Sequence, residues 1–361
     1  HIGGSLYNPN FNGSVTSNFL TINGEGITNI SGTLYADKTV VNLEKFEFDE
    51  EQGGHYMARA GMSTVGDKRL FGTLQVTNGR VSNLLSLLGK PVDKLDGSLS
   101  GTVDLGGTYG NPSLNVVGSI KDVTIDTKVV GDAKIDASLE NRKFKIRTLK
   151  LPVDDGLIAA GGTVDLDGDA DLQIAVRDVD IEPFLPLIGD NINATGSITG
   201  VINMTGATQN PKVELSASLA NGSYNGIDID QGFVLATMEN HVINVQRIQG
   251  VKEDYKLSAY GKIPLAALYT TGYLDANDSK AMDMTIDFNE ADMAVIPLIT
   301  PTVKDATGAL KGVVHVTGTI DQPEAYGTVS VRNGTMKIKT VGNELKNIDG
   351  DLIFSGQQAD F

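Results

Sequence analysis

The 361-residue chain contains no cysteine and no tryptophan. Without thiols it has no disulfide, no thiolate zinc site, no iron–sulfur cluster and no cysteine nucleophile. A cysteine-free chain also suits an oxidising compartment such as a bacterial periplasm. Basic charge is short as well: 29 Lys and Arg against 45 Asp and Glu leave a net charge of −16. With no cationic surplus to displace counterions, nucleic acid is a poor partner, and so is an anionic membrane surface. The acidity serves solubility. No apolar run approaches the roughly 18 residues of a membrane helix. The chain opens on His1 with no signal-peptide pattern and closes in the strand-like "DLIFSGQQADF", so it reads as a trimmed portion that continues past Phe361.

Catalytic signatures are missing too. The four histidines, His1, His55, His241 and His315, lie far apart and read as solvated strand positions rather than a metal cluster. "DLDGDADL" at 165–172 fails the calcium-loop rule in both registers, since the twelfth position from Asp165 is Val176 and the sixth from Asp167 is Leu172. It reads as a turn between two strands, and "DEEQGG" at 49–54 reads as a solvated acidic loop. The Asn-x-Ser/Thr triplets read as turn chemistry. No P-loop, dinucleotide fingerprint or G-x-S-x-G occurs, and nothing singles out a carboxylate pair. The chain reads as non-enzymatic, with no cofactor and no metal.

What is abundant is glycine, 42 residues, more than helices tolerate and suited to strands and turns. Much of it is periodic. Pro9, Pro112, Pro211 and Pro323 are each preceded five positions earlier by glycine: Gly4, Gly107, Gly206 and Gly318. Asn221-Gly222 and Asn333-Gly334 follow the last two prolines by ten residues. Upstream of three copies stand "GSLSG" (97–101), "GSITG" (196–200) and "GALKG" (308–312). Before those come short apolar segments at 79–89, 179–189 and 291–301, the only helical candidates. Features recurring in one order at matching offsets define an internal repeat, divided as 1–95, 96–193, 194–306 and 307–361 in one continuous body.

Within the repeats Leu99, Val103 and Leu105, then Ile198, Ile202 and Met204, then Leu310, Val314 and Val316 are evenly spaced, so each set faces one side of an extended strand. Val213, Leu215 and Leu219 follow the same rule, as do Met284, Ile286 and Phe288. The Asn-Gly pairs at 12–13, 23–24, 78–79, 221–222, 225–226 and 333–334 favour tight hairpin turns. The expected fold is all-β: roughly eight short antiparallel strands and one short helix per repeat, joined hairpin to hairpin. A meandering sheet with one apolar face must cover it. It does so as separate sandwiches, one per repeat, or by curling into a trough whose apolar face lies inside. The small and medium inner residues leave such a channel unfilled.

The glycine-punctuated stretches "GSITGVINMTGATQNPKVELSASLANGSYNGIDI" (196–229) and "GALKGVVHVTGTIDQPEAYGTVSVRNGTMKI" (308–338) resemble the repeats of the TamB family, the translocation and assembly module component among the AsmA-like proteins of didermic bacteria. The resemblance covers most of the chain, least so residues 1–95. It implies a β-taco, a U-shaped sheet with a hydrophobic inner groove; the short apolar segments, read as a few short helices, plug or rim such a groove rather than touch a membrane. It also implies a periplasmic protein anchored in the inner membrane and reaching the outer membrane, of which this chain is a middle portion. By the same resemblance the function is to carry phospholipid acyl chains, with an outer-membrane TamA-like or BamA-like partner met through regions outside this chain. The groove-wall candidates are the fifteen evenly spaced residues named above. Two other functions stay open: assembly of outer-membrane β-barrels and autotransporters by strand pairing, and a structural stalk or adhesin of β-sandwiches.

Overall fold

The computed structural model describes the chain except residues 6, 52, 88, 90–93, 188–192, 254, 269–278, 290, 297–302, 340–343 and 361. Its strands form a single antiparallel sheet that does not close into a barrel. Twenty-three strands are seen among the described residues. The chain divides into two compact units, 1–175 with 186–190, and 176–185 with 191–361.

The first unit holds β1 (Ile2–Ser5), β2 (Asn8–Ile22), β3 (Glu25–Ala36), β4 (Val40–Glu50), β5 (His55–Ser63), β6 (Leu70–Arg80), β7 (Leu95–Thr108), β8 (Asn111–Ile125), β9 (Lys128–Glu140), β10 (Lys143–Val153) and β11 (Gly156–Asp165). The unit boundary falls inside β12 (Asp169–Asp180). The second unit continues with β13 (Ala194–Ala207), β14 (Lys212–Tyr224), β15 (Ile227–Glu239), β16 (Val242–Lys252), β17 (Tyr255–Pro264), β18 (Met282–Asp287), β19 (Ala291–Asp292), β20 (Val303–Gly318), β21 (Pro323–Ile338), β22 (Glu344–Gly356) and β23 (Gln358–Asp360). Among the described residues β1 to β11 pair with their neighbours in sequence, as do β13 to β18 and β20 to β23, while β18 and β19 both lie along β20.

The strands are longer and fewer than the turn signals suggest. β14 runs 13 residues with burial alternating at nearly every step, the period-two pattern of a strand with one covered face. The Asn-Gly pairs account for the difference. Only Asn23-Gly24 and Asn225-Gly226 sit between strands. Asn12-Gly13 lies within β2. Asn78, Asn221 and Asn333 take positive φ of 53°, 50° and 50° inside β6, β14 and β21, where the register shifts. These three are β-bulges rather than hairpin turns, so the strand bends and goes on.

The bulge also explains the "GxhxG" element. Gly196 stands opposite Asn221 and Gly222, and Gly308 opposite Asn333 and Gly334. A Cβ on Gly196 would lie 2.7 Å from the Gly222 Cα, and one on Gly308 would lie 2.7 Å from the Gly334 Cα. Two glycines are needed because the backbones come that close. The glycine-to-proline spacing marks the hairpin itself: Gly4 pairs with Pro9, Gly107 with Pro112 and Gly318 with Pro323. Each of these prolines sits at a strand start, where its missing N–H does no harm.

The apolar segments become short helices. Val81–Leu87 is an α-helix of two turns, and Glu182–Leu187 and Met293–Val295 are 3-10 turns with Leu185 and Met293 buried. Residues 88, 188–189 and 297–301 of those segments lie outside the described residues.

Candidate functional site

In the second unit the cross-strand register lines up apolar residues into unbroken rows. One row runs Gly200, Ala217, Val234, Ile248, Ala259, Ile286, Val314, Gly327 and Phe354. The neighbouring row runs Ile202, Leu215, Ala236, Val245, Gly261, Met284, Val316, Ala325 and Gly356. Directly opposed side chains of this kind are the unit of sheet stabilisation, and here they also make one continuous apolar face.

Part of that face is open. A hollow of about 430 Å³ lies over β13 to β18, walled by Ile198, Ala217, Leu219, Ile229, Val234, Ile248, Leu257, Ala259 and Ile286. Gly232 and Gly250, paired with each other, thin its floor. The polar residues along it, Ser218, Gln249 and Ser258, alternate with wall residues along their strands, so their side chains turn to the other face. Ile248 is 43% exposed although it sits mid-strand in the apolar row.

Toward β20 the face closes. Phe288, Ala291, Met293, Val303, Ala306, Leu310, Val314, Val329 and Val331 are all buried in one packed cluster, with Ile286 and Val316 against it. The evenly spaced candidates therefore divide. Ile198, Leu219 and Ile286 wall the hollow. Phe288, Leu310 and Val314 belong to the closed cluster, and Met284 is 8% exposed beside it in the register. Ile202 and Leu215 are half-buried in the row next to the hollow, and Met204 and Val213, paired with each other one row further along, are half-buried too. In the first unit Leu99, Val103 and Leu105 are half-buried on β7, opposite Ile120, Val116 and Leu114 on β8.

Ala217 walls the hollow on the same even spacing as Val213, Leu215 and Leu219, whereas Ile229, Val234, Ile248, Leu257 and Ala259 are wall residues that even spacing from the repeat motifs does not reach. For Ile248 the reason is physical. The register of β16 shifts between Val245 and Ile248, so both residues join the apolar face despite an odd separation. The same irregularity brings Ile146 and Leu149 of β10 to one face in the first unit.

The acidic loop at 49–54 departs from expectation. Glu50 is 3% exposed, accepts the Tyr56 hydroxyl on Oε1 and takes the Arg80 backbone N–H on Oε2 at 3.1 Å. Tyr56 in turn stacks on Phe48 with ring centroids 4.6 Å apart. Burial, then the hydrogen bond to Glu50, pushes the Tyr56 phenol well above its ordinary range. The pair is a satisfied polar element in an apolar setting. Within the 165–172 stretch residues 166–168 form the turn between β11 and β12, and Arg142 engages Asp167 through both Nε and Nη2. Among the described residues no three His, Asp or Glu side chains converge as a metal site requires. Among them, too, no helix is long and apolar enough to cross a membrane.

Compared with protein-family models, with curated proteins and with solved structures, the chain matches none.

Proposed function

We propose that the chain is a non-enzymatic segment of a periplasmic bridge that carries phospholipid acyl chains between the inner and outer membranes of a didermic bacterium. The observation that carries this reading is the open apolar hollow set into a continuous apolar row. A sheet face destined only for a core closes over, as it does around Leu310 and Val331. Over Ala217, Val234 and Ile248 it stays open instead.

The energetics favour hydrocarbon as the occupant. Burying a methylene is worth about 0.8 kcal/mol, so an acyl chain of about 15 carbons gains roughly 12 kcal/mol on leaving water. Sliding along such a wall needs no reacting group, which agrees with a sequence free of catalytic signatures. The resemblance of the glycine-punctuated repeats to the TamB family supports the same reading, as does a cysteine-free composition suited to the periplasm.

The test is a photocrosslinking amino acid placed at Ile198, on the hollow wall, and at Thr199, its neighbour on the other face. Lipid adducts at position 198 and none at 199 are expected. Equal adducts at both, or none at either, refute the proposal.

A further inference from the structure

A second hollow, of about 110 Å³, adjoins the first and shares Ile229, Gly250 and Leu257 with it. Its other wall is formed by Ala291, Asp292, Ala294 and Val295, at the 3-10 turn that precedes β20. Beyond the turn the space is filled. Met293 is 2% exposed and lies in the packed cluster with Phe288, Leu310 and Val331.

The turn is held in place from two sides. Asp292 accepts the Ala294 N–H at 2.7 Å with one carboxylate oxygen and the Gly308 N–H at 3.2 Å with the other. The Met293 Sδ sits 2.6 Å from where a Gly334 Cβ would be, so it occupies the room that this glycine leaves. Gly308 and Gly334 are the facing glycines of the β20–β21 bulge. The repeated bulge is therefore also the seat on which the turn rests.

We propose that the 292–295 turn is a chain-end stop, which sets the length of the one straight hydrocarbon chain the two hollows accept. This rests on the hydrocarbon-carrying reading above. An apolar cavity of about 150 Å³ holds one benzene, roughly 25 Å³ per carbon. On that scale the first hollow takes about 17 carbons and the second about 4 more. Ala294 and Val295 then decide where the chain ends, because they face the second hollow and the packed cluster fills the space behind them.

The experiment measures binding of straight-chain fatty acids, from roughly 10 to roughly 24 carbons, to the full chain. Affinity should rise about fourfold per added methylene and level off near the combined capacity of the hollows. Ala294→Phe fills the second hollow and should move the plateau about 4 carbons shorter, leaving the affinity of the shortest chains unchanged. Val295→Ala removes two methyl groups from the wall and should move the plateau roughly two carbons longer. A plateau that neither variant moves, or affinity that keeps climbing with length, overturns the stop and leaves hydrocarbon binding standing. If the unaltered chain binds no fatty acid of any length, the hydrocarbon-carrying reading itself fails.

Discussion

Gly196 and Gly222 face each other across β13 and β14 at the centre of a β-bulge, with room for a side chain on neither. Gly196 has a φ of 124°, and its added Cβ would lie 2.7 Å from both the Gly222 Cα and a Leu219 methyl. The first of these neighbours is backbone, which does not yield. Gly196→Ala should therefore destabilise the second unit by at least about 1–3 kcal/mol, the usual cost of an L-residue held in such a conformation. Gly110→Ala, where an added Cβ meets nothing within 4 Å, is the control. Thermal unfolding of the two variants checks this: a clear fall in Tm for Gly196→Ala and little change for Gly110→Ala are expected.

Buried polar pairs behave asymmetrically when one partner is lost. Tyr56→Phe keeps the ring stacked on Phe48 but removes the hydroxyl that Glu50 accepts. Among the described residues a nearly fully buried carboxylate is then left with the Arg80 N–H alone, at a cost of about 1–3 kcal/mol. Removing the carboxylate as well, in Tyr56→Phe with Glu50→Leu, should recover part of that loss. Denaturant unfolding of the single and double variants measures the difference, and additive losses would contradict the pairing.

Asp37 closes the β3–β4 hairpin. Its carboxylate is held down to about 2 by the Thr39 hydroxyl and N–H, then by the Tyr35 hydroxyl, with the Val40 N–H adding to these. A carboxylate depressed in the folded chain binds its proton more readily when unfolded. Its contribution is complete above the unfolded value near 3.8 and is lost as the pH falls toward about 2. Asp37→Asn should flatten the acid limb of the stability curve in that window. An NMR titration of the Asp37 carboxyl should find it still ionised at pH values where ordinary aspartates are half protonated.

The period-two alternation of "VELSASL" places Val213, Leu215 and Leu219 on one face, and β14 bears them there. Glycine spacing locates the hairpins at Pro112 and Pro323. The bulges are another matter. Asn221-Gly222 and Asn225-Gly226 are the same dipeptide four residues apart, yet one is a mid-strand bulge and the other a hairpin turn. The choice depends on the facing Gly196, a residue on another strand. Ile248 reaches the hollow only because β16 shifts register beside it, and alternation read along the chain puts it on the wrong face. Glu50 is written in an acidic run, and nothing local announces the Tyr56 and Arg80 groups that bury it.

The central claim is that the open apolar face over β13 to β18 holds hydrocarbon. Ile248 tests it most directly: it walls the hollow and is 43% exposed, so a charge there is tolerated by the fold and not by an acyl chain. Lipid extracted from the purified full chain and from Ile248→Glu, measured by mass spectrometry beside circular dichroism of both, gives the answer. Phospholipid or fatty acid recovered with the unaltered chain and lost from Ile248→Glu, at unchanged strand content, is the expected result. No lipid with the unaltered chain, or equal lipid with both, would contradict it.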